Sequence, residues 1–278
     1  MLILLVMVMV INSLNFAFLP LFDIIERILI FSYDLLRAPE KFCMSEQLNE
    51  QTNSDIIAKG SARFFMSLAI HICLLFISAG SIRWFNGWFY IGLFTSIFLF
   101  FAILFLKLNP ELLRERMKFV KKDTKPFDRI FYLIFIPLYF IVLIVSALDY
   151  RYGWSHMSFT LFVSGITAYI VTAVFMIWAM SVNTHFEATV RIQADRNHKV
   201  CTGGPYRFVR HPGYSGMIFN CPSIACILGS YIALIPAGFI IVLIIIRTLL
   251  EDNVLQKELD GYEEYAGKTK YRLLPFIW

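Results

Sequence analysis

Residues 212–246 read PGYSGMIFNCPSIACILGSYIALIPAGFIIVLIII, and this stretch decides the fold. Two apolar runs, 212–228 and 231–246, are separated only by Gly229-Ser230. A two-residue connection leaves room for nothing but an antiparallel helical hairpin. The rest of the 278-residue chain is built of the same material: 58% of it is hydrophobic and 16% charged. Soluble globular chains are roughly 45–50% apolar and about 25% charged. The reading is therefore an all-α, polytopic transmembrane helical bundle of about six or seven spans, and the 28 phenylalanines suit lipid-facing helices.

Working back from the hairpin, further spans are expected at 158–182, at 130–148, at 89–106 and at 62–79. Pro137 lies inside the 130–148 run, where it either kinks the helix or is tolerated because neighbouring helices satisfy the freed carbonyl. Residues 1–22 are almost uncharged. They lack the basic start and small-residue cleavage site of a signal peptide and read as an uncleaved first helix. The polar stretch 34–60 reads as a loop or a surface helix, 81–88 as a tight turn with Trp84 and Trp88 as interfacial anchors, and 149–157 as a short aromatic loop. Region 107–129 carries eight Lys/Arg. After Pro110, the spacing of Leu112, Leu113, Met117 and Val120 suits a short amphipathic helix on the membrane surface, or else a solvated charged loop.

The basic loops 107–129 and 183–210 and the basic tail 247–278 are separated by pairs of spans, so all three fall on one side. That side is the cytoplasmic one by the positive-inside rule, and seven spans put the N-terminus outside. The formal charge of +5 thus sets topology and does not point to nucleic acid. Cys43, Cys73, Cys201, Cys221 and Cys226 form no CxxC pair and no zinc spacing, and the five histidines form no HxH or HxxxH pattern. No metal is expected. The thiols read as reduced and mostly buried, with Cys201, beside the motif described next, the one candidate nucleophile.

Two polar clusters flank the hairpin. Residues 200–216 read VCTGGPYRFVRHPGYSG. A charge at the bilayer centre costs about 2.5–3.5 kcal/mol on insertion scales, so this run belongs at a membrane face or along a protein-walled cavity. Gly203-Gly204-Pro205 allows close backbone approach. Tyr206 and Tyr214 offer aromatic faces that attract cations. Arg210 and His211 precede Pro212, which suits the first position of a helix, whose N-terminus adds partial positive charge. The second cluster, Arg247-Thr-Leu-Leu-Glu251-Asp252, places Arg247 and Glu251 on one helix face. Glu258, Asp260, Glu263 and Glu264 read as a solvated face, and Tyr262 and Tyr265 as packing over a ligand or against headgroups. If the two clusters meet, the mixture suits a molecule carrying a carboxylate, an ammonium, ribose hydroxyls, an adenine and a sulfonium: S-adenosylmethionine. Methyl transfer from it needs alignment above all, and no Rossmann glycine fingerprint is present to make a soluble methyltransferase domain.

At these residues the chain resembles the integral-membrane isoprenylcysteine carboxyl methyltransferase family, especially its prokaryotic branch, which is related to phospholipid methyltransferases. The resemblance is carried by VRIQADRNHKVCTGGPYRFVRHPGYSG (190–216), by RTLLEDNVLQKELDGYEEYAGKTKYRLLPFIW (247–278) and by NPELLRERMKFVKKDTKPFDR (109–129). It divides the chain into N-terminal helices, 1–106, that match only in being hydrophobic, and a core, 107–278, with its cofactor site in 200–278. It implies that Gly204, Pro205, Tyr206, His211, Pro212, Tyr214, Glu251 and Asp252 bind S-adenosylmethionine. It also implies that Arg210 and Arg247, with Glu251, form the catalytic set, the arginines orienting a substrate carboxylate. Eukaryotic members tend to carry two glutamates where this chain has Glu251 and the shorter Asp252. The implied acceptor is a lipophilic small molecule or prenylated substrate that enters sideways from the bilayer, while the cofactor pocket opens to the cytosol. His211 is the nearest candidate base, though a carboxylate acceptor is already ionised at neutral pH and needs none. Two other activities compete: methylation of a phospholipid amine, and a nicotinamide-dependent reduction of the membrane steroid-reductase type. A transporter would show paired broken helices in related halves, and no such repeat is seen.

Overall fold

Within a bilayer no water satisfies the backbone, so each long apolar run closes its own hydrogen bonds as a helix. The computed structural model of the protein describes residues 46–278 apart from 119, 120 and 122. The helix expected at 1–22, with the outside N-terminus, lies outside the described residues, as does the 34–45 part of the polar stretch. The described elements are all helical: α1 (Glu46–Ala79), α2 (Phe85–Leu108), α3 (Pro110–Met117), α4 (Pro126–Tyr152), α5 (Phe159–Val182), α6 (Pro212–Leu228), α7 (Leu234–Glu258) and α8 (Tyr262–Lys268), with two 3-10 turns at Ala194–Arg196 and Gly204–Arg207.

Five helices are long and apolar enough to cross a membrane: α1 from Ile56, α2, α4, α5 and α7. Their outward faces are apolar, as at Leu99, Phe100 and Ile103 on α2 and Phe239, Val242 and Ile246 on α7. The remaining apolar helix, α6, differs in having 11 of its 17 residues buried, which makes it the axis of the bundle. Its small residues let neighbours come close, the usual device of helix packing in lipid. At Gly165 on α5 an added Cβ would stand 2.7 Å from Cys226 Cβ and 3.0 Å from the Ser223 carbonyl, so the two helices touch nearly backbone to backbone. A shared core joins α1 and α2 to α4, α6 and α7 through Leu75, Tyr90, Leu143, Ile224 and Ile240. A polar chain crosses it: His71 bonds Tyr139 Oη at 2.9 Å, and Tyr139 in turn bonds Tyr90 Oη at 2.9 Å.

The hairpin forms as expected. Gly229 ends α6 with φ +85°, a conformation in which glycine meets no Cβ penalty, and Ser230–Ala233 turn the chain into α7. That end of the bundle is clasped by Asp149. Its carboxylate accepts from the Ser155 backbone N–H, from Ser155 Oγ and from Ser230 Oγ, tying the α4–α5 connection to the hairpin. Asn86 Nδ2 donates to the Ile227 carbonyl at 2.9 Å and brings in α2. At the opposite end the three basic regions meet, as the charge pattern requires: Lys121 pairs with Glu187 and Lys125 with Glu258, and the backbone N–H of Arg210 donates to the Tyr271 carbonyl.

The structure decides or corrects several sequence expectations. Of the two readings after Pro110, the helix forms: α3 is capped by Asn109 Oδ1 accepting from the Leu112 N–H at 3.0 Å, and Leu112 is buried as the amphipathic spacing predicts. Trp84 is not an interfacial anchor; it is buried and stacks on Tyr150 at 5.0 Å, because α4 continues to Tyr152 where an aromatic loop was expected. Pro137 sits inside an unbroken α4. The tail does not begin after residue 246: α7 runs on through Glu258 and carries Arg247, Glu251 and Asp252 out of the apolar zone on one rigid helix. Cys73 is exposed on α1.

Candidate active site

A cavity of about 210 Å³ lies at the basic end, walled by α3, α4, α5, α6, α7 and α8 and by the connection 183–201. Pro212 starts α6 at its first position with His211 as the cap residue, so the helix N-terminus points at this space. Cluster 200–216 and cluster 247–252 do meet here: Tyr206, Arg210, His211, Pro212, Tyr214, Arg247 and Glu251 all line it. Gly204, Pro205 and Asp252 stand behind the wall. Gly204, with φ +53°, packs on Trp178 and Val182 of α5.

Arg247 is 3% exposed and Asp128 is fully buried, and Arg247 Nε lies 2.7 Å from Asp128 Oδ1. The other oxygen of Asp128 accepts from the Val190 N–H at 2.9 Å. Arg247 also donates to the Ala188 carbonyl at 2.9 Å and lies over three rings, Phe131 at 4.3 Å and Tyr132 and Tyr214 at 5.0 Å each. A buried guanidinium without such partners would be prohibitively costly. Its carboxylate partner is thus Asp128, from the first turn of α4, and not Glu251 one turn further along α7.

Asp252 is the hub of a second network. Its Oδ1 faces His211 Nε2 at 3.1 Å and accepts from Tyr262 Oη at 2.9 Å. Its Oδ2 accepts from Gln256 Nε2 at 2.8 Å and Arg272 Nε at 2.9 Å, with Arg210 Nη2 3.3 Å away. Both oxygens therefore serve protein groups, and Asp252 positions His211 and Arg210. Arg210 remains incompletely satisfied: it is buried, it lines the cavity, and its Nε has no hydrogen-bond partner among the described residues. Glu251 takes a short hydrogen bond from Tyr214 Oη on one oxygen. Tyr262 and Tyr265 are buried cavity residues rather than headgroup contacts, Tyr265 Oη donating to the Tyr206 carbonyl at 2.7 Å. The acidic residues 258, 260, 263 and 264 face solvent as expected.

The connection 183–196 closes the outer wall. Glu187 holds Lys121 at 2.7 Å and Arg191 at 2.9 Å. Burial alone would raise its carboxyl, but the bonds from Arg191 and Lys121 outweigh that and hold it below its usual range. Arg116 of α3 reaches the cavity from the same side, donating to the Phe186 carbonyl at 3.2 Å and lying 5.3 Å over the Phe186 ring. No carboxylate pairs with it among the described residues, and burial lowers its pKa. Cys201 lines the cavity too, but burial pushes its thiol up, the wrong direction for a nucleophile. No group of three or more His, Cys, Asp or Glu suited to a metal occurs among the described residues.

The sequence reading missed Asp128, Arg116, Arg272 and the histidines of the 183–201 connection. The first stands two residues before the 130–148 run, in a stretch read as a basic loop, and its trace was only that an acid so close to a membrane span calls for a partner. Arg116 and Arg272 sit among so many surface cations that nothing local marks them.

The chain is thus a helical bundle with five candidate membrane spans and a polar, arginine-lined cavity at one end. Residues 160–260 match the family model described as phospholipid methyltransferase, a segment that supplies Tyr206, Arg210, His211, Tyr214, Arg247 and Glu251 to the cavity. The chain is also similar to two rice proteins, from Oryza sativa subspecies indica and japonica, each named probable protein-S-isoprenylcysteine O-methyltransferase. Each is 30% identical over 94 residues, which cover 33% of this chain and 49% of the relative. The chain thus spans about half the length of the curated relatives it matches. Both findings support the methyltransferase family resemblance carried by the motifs.

Proposed function

We propose that the cavity binds S-adenosylmethionine and that the protein methylates a carboxylate on a lipophilic acceptor held in the membrane. The observation that carries this reading is Arg210: a buried cation in the cavity wall whose Nε lacks a hydrogen-bond partner among the described residues. Such an atom costs free energy unless a ligand completes it, and the ligand that does so is an anion. The residues present fit the cofactor. Arg210 and the α6 N-terminus suit its carboxylate, the Glu251 oxygen not engaged by Tyr214 suits its ammonium or ribose, and the tyrosine faces suit its sulfonium. When bound, the cofactor supplies an electrophilic methyl group.

The chain's own part is alignment and exclusion of water. Arg116 and Arg247 bring two further guanidiniums to the cavity and favour an anionic acceptor. Met176 and Met217 line it from α5 and α6 and offer an apolar wall to a lipid tail. A carboxylate acceptor is ionised at neutral pH and needs no base, which leaves His211, bonded to Asp252, as a positioning group. The basic loops support a cytoplasmic position for this end of the bundle. Methylation of a phospholipid amine is the second reading, favoured by the family description matched at 160–260.

The test is calorimetric titration of the detergent-solubilised protein with S-adenosylmethionine and with its demethylated product, wild type beside Glu251→Ala. It is followed by methyl transfer to an S-prenylcysteine analogue and to phosphatidylethanolamine. Saturable binding that Glu251→Ala loses, with methyl appearing on the prenylcysteine, is the expected result. Methyl on the amine instead selects the second reading, and binding of a nicotinamide cofactor alone overturns both.

A further inference from the structure

Two histidines of the cavity wall have no role in this account. His185 follows α5 and His198 precedes the 200–216 motif; both line the cavity, and their rings lie 4.7 Å apart. Gln193 is buried beside them and fixes the tautomer of each. Its amide nitrogen donates to the His185 carbonyl at 2.7 Å, so its Oε1 is the acceptor end, and that oxygen also takes a bond from Arg196 Nη1 at 3.0 Å. His185 Nδ1, 3.3 Å from the same oxygen, therefore carries a proton, which leaves its Nε2 a bare acceptor. The main-chain N–H of Gln193 donates to His198 Nδ1 at 3.4 Å. In a neutral ring the proton of His198 is then on Nε2, a donor. Burial is the largest cause of both shifts: it lowers His185 and brings His198 down to about 4, so both rings are neutral. Among the described residues neither Nε2 has a hydrogen-bond partner.

The wall thus presents one free donor beside one free acceptor. Adenine presents the complement: an amino donor, N6, next to a ring-nitrogen acceptor. We propose that His185 and His198 read the adenine of an adenosyl ligand, His185 Nε2 accepting from N6 and His198 Nε2 donating to the adjacent ring nitrogen. This rests on the proposed cofactor and names the subsite that selects it. A hypoxanthine in the same place turns an oxygen acceptor toward the bare nitrogen of His185, leaving two acceptors face to face.

The experiment compares dissociation constants of S-adenosylhomocysteine and S-inosylhomocysteine for the full-length protein in detergent, measured by calorimetry without turnover. Wild type is expected to prefer the adenosyl compound by about tenfold or more, the scale on which a built hydrogen-bonding site rejects a mismatched group. His185→Phe and His198→Phe keep a ring in place and remove both nitrogens of one histidine each, so each is expected to weaken the adenosyl compound and bring the two constants together. Wild-type protein that binds both compounds equally overturns the assignment, a comparison that holds whether or not either variant folds. Adenosyl preference retained in both variants also overturns it, while leaving the proposed cofactor intact. Wild-type protein that binds neither compound removes both proposals.

Discussion

Replacing Asp128 by Asn tests the arrangement of Arg247 with a single atom. The change removes the charge 2.7 Å from Arg247 Nε and keeps an oxygen able to accept from the Val190 N–H. Arg247 retains the Ala188 carbonyl and its three aromatic faces, the latter worth roughly 0.5–2 kcal/mol apiece and unchanged between the two forms. What is lost is the pairing itself. Removing one partner of a buried ion pair costs about 3–5 kcal/mol. The retained hydrogen bond and rings put Asp128→Asn at the lower end, about 3 kcal/mol. A double-mutant cycle with Arg247→Met isolates the pair, because the doubly changed protein buries no unpaired charge. Unfolding of the four proteins in one detergent should give a coupling energy of about 2–3 kcal/mol. Additive effects, with coupling below about 0.5 kcal/mol, would show that the two charges do not depend on each other and would refute the reasoning.

Gly165→Ala sets two effects against each other: alanine favours a helix by about 0.5–1 kcal/mol over glycine, but its Cβ would stand 2.7 Å from Cys226 Cβ and 3.0 Å from a main-chain oxygen. Overpacking at about 1–3 kcal/mol should win, and thermal unfolding at a raised midpoint would contradict the close α5–α6 approach. His198 gives a pH dependence. Its pKa is about 4 when folded and about 6.5 when unfolded, so the unfolded chain binds the proton first. Its contribution to stability is complete above pH 6.5 and declines as the pH falls toward 4. Unfolding followed between pH 7 and pH 4.5 should show a decline that is shallower in His198→Phe.

The bundle was legible because lipid makes composition decisive: runs such as 231–246 admit one backbone solution. The meeting of 200–216 with 247–252 was also legible, since both clusters sit at the same ends of a two-helix hairpin. The assignment of partners was not. Arg247 and Glu251 share a helix face and look like a pair, yet the first is claimed by Asp128 and the second by Tyr214, residues 119 and 37 positions away in the chain. Asp252 reads as a ligand-facing acid and proves to be surrounded by five protein groups, one of them on α8 and one on the C-terminal segment after it. Periodicity reports which way a side chain points but not what stands opposite, and for buried charges what stands opposite decides the role. Trp84 shows the same limit: a turn between apolar runs suggested an interface, while the length of α4 placed Tyr150 against it.

The Asp149 clasp has a mechanical consequence. The connection after α4 and the hairpin turn are fastened to one carboxylate, and α2 is fastened nearby to the end of α6, so those helix ends are not free to slide or separate. Any parting of the helices large enough to pass a lipid tail must then be a pivot about that fastening, with its amplitude growing toward the cavity. Seventeen residues of α6 make a lever about 25 Å long, over which a tilt of about 7° moves the far end by about 3 Å. A gap of that size at the arginines therefore leaves the core around Ile224 and Leu143 almost undisturbed.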